Sequence, residues 1–214
     1  MKKKVHSYQA EGIVVEYDAA RCIHVKECVH GLPEVFDPKR RPWIDPGLAS
    51  ADAIAEVVRR CPTGALRYRT ETGEQEQPTG RNEVRTAADG PLYLHGRLNV
   101  RVSDGESVEE TRMALCRCGA SQNKPFCDNA HIESGFRDPA ANIPQQVAKG
   151  SDEKTTVAVT FAPNGPILID GPVAVCGADS SEAVGVRGAL RRCGESLTKP
   201  FCDGSHVTAG FSSD

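Results

Sequence analysis

The sequence predicts an α+β protein, in which a small N-terminal α+β domain precedes two mostly-β units packed as a pseudo-twofold pair. Residues 90–136 align without a gap on 165–211, and 20 of these 47 positions are identical. Short β-branched runs such as TTVAVTF and PILIDGPVAV indicate strands. With 20 glycines, 14 prolines and 5% aromatic residues, the composition favours small loop-rich modules over one large core. Two copies of a unit in one chain resemble a homodimer fused into a monomer.

The N-terminal domain is predicted to span residues 1–75. Its predicted elements, in chain order, are a strand at 11–18, a helix across 20–31, a helix across 50–61 and a returning strand at 65–70. Ser50 is the predicted N-cap of the second helix. The basic start MKKKVHSYQAEG reads as a solvated tail, and the polar stretch TETGEQEQPTGRN as a linker.

Charge and hydropathy exclude several classes of protein. The formal net charge is −3, which argues against a nucleic-acid-binding protein. No apolar run approaches the length of about 18 residues needed for a membrane span, and no apolar stretch follows the basic start as in a secretory signal. We therefore expect a cytoplasmic protein.

The nine cysteines point to metal binding. An odd number of cysteines without an export signal is a poor match for a disulfide framework. Most of them stand close to His, Pro and Gly residues in compact motifs. In the first repeat Cys116, Cys118, Cys127 and His131 form C-x-C-x8-C-x3-H. Three thiolates and an imidazole suit structural zinc or a [2Fe–2S] cluster, and the tight C-x-C favours the cluster.

The segments CRCGASQNKPFCDNAH and RRCGESLTKPFCDGSH resemble the CDGSH iron–sulfur family, which includes mitoNEET-like proteins. The resemblance implies units at 84–138 and 155–214, each with a [2Fe–2S] cluster. In the first, Cys116 and Cys118 would hold one iron, and Cys127 and His131 the other. It is similar to monomeric members with two motifs in one chain, so we expect a monomer with an internal pseudo-dimer.

The histidine ligands have a chemical consequence. An imidazole can be protonated near neutral pH and leave a metal, whereas a thiolate stays bound. We therefore expect reduction to be coupled to protonation, and the clusters to be acid-labile through His131 and His206.

The first domain carries a different motif, C-x5-C…C-P, formed by Cys22, Cys28 and Cys61. It resembles single-cluster bacterial ferredoxins, but Val25 stands at the position of the middle cysteine. This resemblance implies a [3Fe–4S] cluster. The stretch CIHVKECVHGLPEVF…CPTGAL also resembles the divergent mono-cluster 4Fe–4S domain, in which a fourth iron would need another ligand. His24 is the candidate, and the alternative is an ordinary surface histidine.

The second repeat offers Cys193, Cys202 and His206, but Arg191 stands where Cys116 stands in the first. Cys176 has no cysteine counterpart, since it aligns with Arg101. The exchange predicts that the two positions face each other on adjacent strands, so that Cys176 supplies the missing ligand and Arg101 and Arg191 lie beside the clusters. The alternative is that Cys176 is a buried free thiol.

These motifs predict a redox protein that transfers electrons and is not an enzyme. We expect its partners to be a reductase or an acceptor oxidoreductase, with no nucleic acid and no membrane. The alternatives are cluster transfer or redox and iron sensing, and a zinc-stabilised interaction module.

Overall fold

The chain folds as two compact units that divide between Gln77 and Pro78. The computed structural model describes residues 5–78, 80–101, 106–150 and 155–213. Residues 1–4 of the predicted tail, residue 79 of the linker and residues 151–154 between the repeats lie outside the described residues.

The first unit contains a three-stranded antiparallel sheet in the order β1-β2-β3. Its elements are β1 (Val5–Ala10), β2 (Ile13–Asp18), α1 (Glu27–Gly31), α2 (Ala51–Arg59) and β3 (Leu66–Thr70). Helix α2 begins as predicted, because the Ser50 hydroxyl accepts a hydrogen bond from the Ala53 N–H at 3.3 Å. It buries Ile54, Val57 and Val58 against the sheet.

Two local predictions in this unit are wrong. Residues 5–10 of the predicted tail form β1, which pairs along its whole length with β2. The predicted helix across 20–31 is confined to α1, because His24 and Lys26 adopt left-handed backbone with φ of 56° and 69°. Two such residues interrupt a right-handed helix, so the chain from Cys22 to Lys26 is a loop.

The second unit repeats one set of elements. The first copy consists of β4 (Glu83–Thr86), β5 (Leu92–Arg101), β6 (Ser107–Leu115) and α3 (Ala130–Glu133). The second copy consists of β7 (Val157–Phe161), β8 (Ile167–Cys176), β9 (Glu182–Leu190) and α4 (Ser205–Thr208). Strands β5, β6 and helix α3 are offset by 75 residues from β8, β9 and α4, as the sequence repeat predicts.

The two copies share one six-stranded sheet through reciprocal pairing. Strand β4 pairs antiparallel with β5 of its own copy and parallel with β8 of the other. Strand β7 likewise pairs antiparallel with β8 and parallel with β5. Each short strand therefore joins the long strands of both copies, and the buried faces form a common apolar core.

The segment after the first repeat also packs on the second. The Ala148 N–H donates to the Arg187 carbonyl of β9 at 2.7 Å, and Val147 is buried in the common core. Among the described residues, no helix is long and apolar enough to cross a membrane.

Candidate metal centres

A cavity of about 600 Å³ in the first unit brings together Cys22, Cys28 and Cys61. Cys22 lies in the loop before α1, Cys28 lies within α1, and Cys61 follows the end of α2. His24 lines the same cavity, and its Nδ1 lies 3.8 Å from Cys22 Sγ. The loop therefore brings a fourth donor, an imidazole, to the three thiols.

Two polar residues at this cavity have no signal in the cysteine spacing. Burial, followed by interaction with Cys22, raises the pKa of Tyr17 above its usual range. The Thr63 hydroxyl lies 3.5 Å from Cys61 Sγ and accepts the Ala65 N–H at 3.1 Å. Burial raises the pKa of Cys28 to about 11. The thiols of this unit thus lie in a partly apolar environment with a few directed polar contacts.

The first CDGSH loop, residues 116–131, follows β6 and brings its four donors together as two pairs. Cys116 and Cys118 Sγ lie 3.6 Å apart, and Cys127 Sγ lies 3.5 Å from His131 Nδ1. The backbone of Cys127 pairs with β6, since its N–H donates to the Ala114 carbonyl at 3.0 Å. Helix α3 is a single turn that returns His131 to the side of Cys127.

Ser121 and Asp128 hold this loop in shape. The buried Ser121 hydroxyl donates to the Phe126 carbonyl at 2.7 Å and accepts the Asn123 N–H at 3.0 Å. The Asp128 carboxylate accepts N–H groups on both sides of the loop, from Gln122 at 2.8 Å and Ala130 at 3.1 Å. Ser196 and Asp203 make the same bonds in the second loop.

Replacing Ser121 by alanine is expected to lower the free energy of unfolding by about 1–3 kcal/mol, because the buried hydroxyl and its bonds to the partly buried Phe126 carbonyl and the Asn123 N–H are lost. Urea denaturation followed by circular dichroism measures this effect. Ser196→Ala is the matched variant and should cost a similar amount. A loss below about 0.5 kcal/mol in both variants, as for ordinary surface substitutions, would refute this role.

The pKa values of Cys116 and His131 in the first loop shift towards the forms that bind metal, whereas burial raises the pKa of Cys127 to about 11. A hydrogen bond with Cys118, supported by backbone N–H groups of residues 118, 119 and 121, lowers the pKa of Cys116 to about 6. The same coupling raises the pKa of Cys118. Burial and the charge of Arg117 lower the pKa of His131, which keeps its imidazole neutral as a metal ligand must be.

The second CDGSH loop, residues 191–206, has three donors at positions that correspond to donors of the first loop. Cys202 Sγ lies 3.3 Å from His206 Nδ1, and the Arg191 N–H donates to the Pro200 carbonyl as the Cys116 N–H does to Pro125. Cys193 is buried at the position that matches Cys118. The backbone of this loop is thus arranged like that of the first loop, and Arg191 occupies the position that corresponds to Cys116.

The side chain of Arg191 is fully buried and points to partners other than a cluster sulfur. Its Nη1 donates to the Gly194 carbonyl at 2.8 Å and its Nη2 to the Asp138 carboxylate at 2.7 Å. Its guanidinium carbon lies 5.0 Å from the ring centroid of Phe136. Burial and the nearby Arg117 lower the pKa of Arg191 to about 10, so it remains a cation at neutral pH.

The predicted exchange between Cys176 and Arg191 on facing strands is wrong. Strand β9 ends at Leu190, which pairs with Ile167, whereas Cys176 pairs with Glu182 at the other end of β8. Nine residues of strand separate the two ends, roughly 30 Å at about 3.3 Å per residue. Arg101 is equally displaced, since it pairs with Ser107 while Leu115 pairs with Leu92.

Cys176 instead lies in a charged surface cluster. Arg81 Nη2 lies 3.6 Å from Cys176 Sγ and 2.6 Å from Glu182 Oε2. The alignment shows that Cys176 matches Arg101 and Arg191 matches Cys116, but it does not reveal which end of a strand each residue occupies.

The donor sets differ in how well they fit iron–sulfur clusters. The first unit offers three thiols with His24, and the first CDGSH loop offers three thiols with His131, as four-ligand sites require. The second loop offers Cys193, Cys202 and His206, one donor fewer.

Comparison with known proteins divides the chain in the same way, into an N-terminal domain and two repeated domains. The family model described as a divergent 4Fe–4S mono-cluster matches residues 8–71, and the iron-binding zinc finger CDGSH type matches 89–132 and 164–207. The uncharacterized proteins YjdI of Escherichia coli K12 and O157:H7 are each 40% identical over 62 residues, which is 29% of this chain and 82% of those proteins. No solved structure matches the chain. The chain therefore belongs to the CDGSH iron–sulfur family in a tandem-motif form, joined to a divergent 4Fe–4S mono-cluster domain in the N-terminal region, where YjdI also matches.

Proposed function

We propose that this protein is a non-catalytic electron carrier with one [3Fe–4S] or [4Fe–4S] cluster in its first unit and a [2Fe–2S] cluster in each CDGSH loop. Reversible one-electron exchange is the chemistry that such clusters supply when bound. The protein residues hold and shield the metal, and they position the two CDGSH loops against each other.

The direct contact between the two loops is the observation that carries this proposal. The backbones of Cys118 and Cys193 pair as an antiparallel bridge. A Cβ on Gly119 would lie 2.7 Å from the Cys193 carbonyl oxygen, and one on Gly194 would lie 2.7 Å from the Cys118 oxygen. Glycine at both positions thus permits the approach, and two redox centres held this close could exchange electrons.

The reciprocal contacts also support an internal pseudo-twofold arrangement, which we propose replaces the homodimer of single-motif proteins. Strands β4 and β7 exchange partners in the same way, and the two loop glycines approach each other's cysteine backbones. We accordingly propose that the chain acts as a monomer. None of its nine cysteines, which all lie among the described residues, forms a disulfide, and this favours a reducing compartment such as the cytoplasm.

Exposed apolar side chains beside the histidines support docking of a redox partner protein. Ile132 and Val207 directly follow His131 and His206, and they are 67% and 74% exposed. One exposed apolar side chain beside the histidine of each loop suits contact with a partner in a short-lived protein complex.

Serine at positions 132 and 207 together is expected to slow electron transfer from a partner reductase at least fivefold, because the partner loses apolar contact area. Stopped-flow reduction by a ferredoxin reductase measures the rate, and the visible spectrum reports whether the clusters are intact. Val184→Ser, at an exposed site on β9, is the control. Equal rates in the wild-type protein and both variants would contradict a docking role for these two side chains.

A second candidate is transfer of a cluster to an acceptor protein. His131 and His206 are each partly exposed, so each CDGSH loop has one replaceable donor near solvent. Incubation of the loaded chain with an apo-ferredoxin separates the two functions. Loss of iron from the chain matched by gain in the acceptor supports transfer, whereas oxidation without iron loss supports electron transfer.

Quantitation of iron and acid-labile sulfide, together with EPR of the oxidised and reduced protein, tests the proposed cluster content. A [3Fe–4S] cluster gives an EPR signal when oxidised, and a [4Fe–4S] cluster gives one when reduced. His24→Ala examines the fourth donor of the first unit, since loss of one iron per chain would identify the imidazole as its ligand. A colourless chain that binds only zinc would contradict the proposal.

A further inference from the structure

The two copies in the second unit differ at two matched positions. Position 138 corresponds to 213, and position 191 corresponds to 116. The Asp138 N–H donates to the Asp89 side chain at 2.7 Å, and the Ser213 N–H donates to Asn164 at 2.9 Å. Both pairs are related by the 75-residue offset, so Ser213 is the structural counterpart of Asp138. The counterpart of Arg191 is Cys116.

Asp138 and Arg191 form an ion bridge between the repeats. One carboxylate oxygen of Asp138 accepts from Arg117 Nη1 at 2.5 Å and from Arg191 Nη2 at 2.7 Å. The side chains of both arginines are fully buried, and that of Asp138 is 4% exposed. Phe136 lies against both guanidinium groups, 5.1 Å from Arg117 and 5.0 Å from Arg191.

The second copy has Arg192 as the counterpart of Arg117, but its described residues form no counterpart of this ion bridge. Arg192 donates to the carbonyls of Gly165 and Ala162, as Arg117 does to those of Gly90 and Ala87. The residues corresponding to the acid and the second arginine are Ser213 and Cys116. The bridge therefore joins Asp138 of the first copy to Arg191 of the second, whereas the corresponding positions are Ser213 of the second copy and Cys116 of the first.

The buried guanidinium of Arg191 is held strongly by the carboxylate of Asp138. Removing it from Asp138 would leave a charge unpaired in the protein interior, which is costly. Arg191 is therefore a fixed part of the core between the repeats. Cys176, the remaining cysteine of the second copy, lies at the far end of β8.

We propose that the second CDGSH motif binds its metal through only three protein side chains, Cys193, Cys202 and His206, and that an exchangeable ligand from solution, water or a small thiol, completes it. This inference rests on the proposed function. It makes the loops unequal, with a firmly held site in the first and a labile site in the second.

The rate of iron release to a chelator tests whether the second loop holds its iron less firmly than the first. The parent protein for this test is the full chain with Cys61→Ser, a substitution that removes the contribution of the first unit. This parent is expected to lose its iron in two equal phases, the faster by about tenfold or more because one protein ligand is missing. Arg191→Cys combined with Asp138→Ser copies the first half-site into the second and should abolish the fast phase. The inverse pair, Cys116→Arg with Ser213→Asp, should make all of the iron leave fast.

A spectroscopic measurement keeps the test independent of how well these variants fold. Dithiothreitol should shift the visible spectrum of the parent by binding at the open position, and Cys116→Arg with Ser213→Asp should double that shift. Four irons leaving in one slow phase, with no thiol effect, would overturn the inference but leave the proposed function standing. Glu195 lines a surface cavity together with Cys193 and is the nearby carboxylate to examine. Acceleration of the fast phase by Glu195→Gln or Cys176→Ser would assign the fourth ligand to that residue and also overturn the inference. A parent that binds neither iron nor sulfide would overturn the proposed function itself.

Discussion

Replacing Asp138 by alanine is expected to lower the free energy of unfolding of the second unit by about 3–5 kcal/mol. The substitution leaves the guanidinium groups of Arg117 and Arg191 buried without their shared carboxylate. Burial already lowers the pKa values of both arginines, and Asp138 opposes that shift in each. The carboxylate is therefore the group that makes two cations tolerable in this core. Guanidinium denaturation followed by circular dichroism measures the effect.

Ser213→Ala is the matched control, because Ser213 occupies the equivalent position without a buried arginine pair. Its loss should stay near 1 kcal/mol, the ordinary contribution of one hydrogen bond. Replacing Arg191 by methionine in the Asp138→Ala background should restore part of the stability, since it removes one of the two unpaired cations. Equal losses in Asp138→Ala and Ser213→Ala would show that the bridge does not stabilise the unit.

His131→Cys is expected to slow acid-induced iron release from the first CDGSH loop roughly tenfold at pH 5. Burial and Arg117 lower the pKa of His131, so the neutral imidazole is favoured at pH 7. As the pH falls through that pKa, the proton competes with the metal, and the contribution of this ligand is lost. At pH 5 a histidine of ordinary pKa, about 6.5, favours the protonated form about 30-fold, and the lowered pKa reduces this factor. A thiolate ligand has no such step near neutrality.

Chelator assays at pH 5 and pH 8 give the comparison. The difference between the wild-type protein and His131→Cys should be large at pH 5 and small at pH 8. His206→Cys is the corresponding variant in the second loop and distinguishes release from the two sites. If both variants lost iron at wild-type rates at pH 5, protonation of the histidines would not control release.

Several features were predicted from local sequence because local interactions determine them. Ser50 begins α2, strand β3 returns at 66–70, and the 75-residue repeat recurs as matching strands and helices. In the first loop Cys127 and His131 lie 3.5 Å apart because the chain turns back at Asn129, whose backbone is left-handed, before α3 begins. Strand β1 was missed, because its alternating exposed and intermediate side chains carry little apolar signal.

The incorrect prediction that Cys176 and Arg191 lie side by side shows that sequence comparison does not establish strand register. The alignment identified both positions, and the inference that they meet assumed a strand register that the sequence does not contain. In the structure, pairing of Leu190 with Ile167 sends Cys176 to the opposite end of the sheet. Register depends on which faces are buried and on the bulge in each long strand, both of which depend on the whole sheet.

The sequence by itself determined which chemistry this protein can support, because ligand type and spacing within a loop are local properties. It determined three cysteine-rich sites, the family of each and the missing cysteine at Arg191. Only the tertiary structure decided what Arg191 does. Its partner Asp138 is 53 residues away in the chain, and the two meet because the copies share one core, where a buried cation needs a carboxylate.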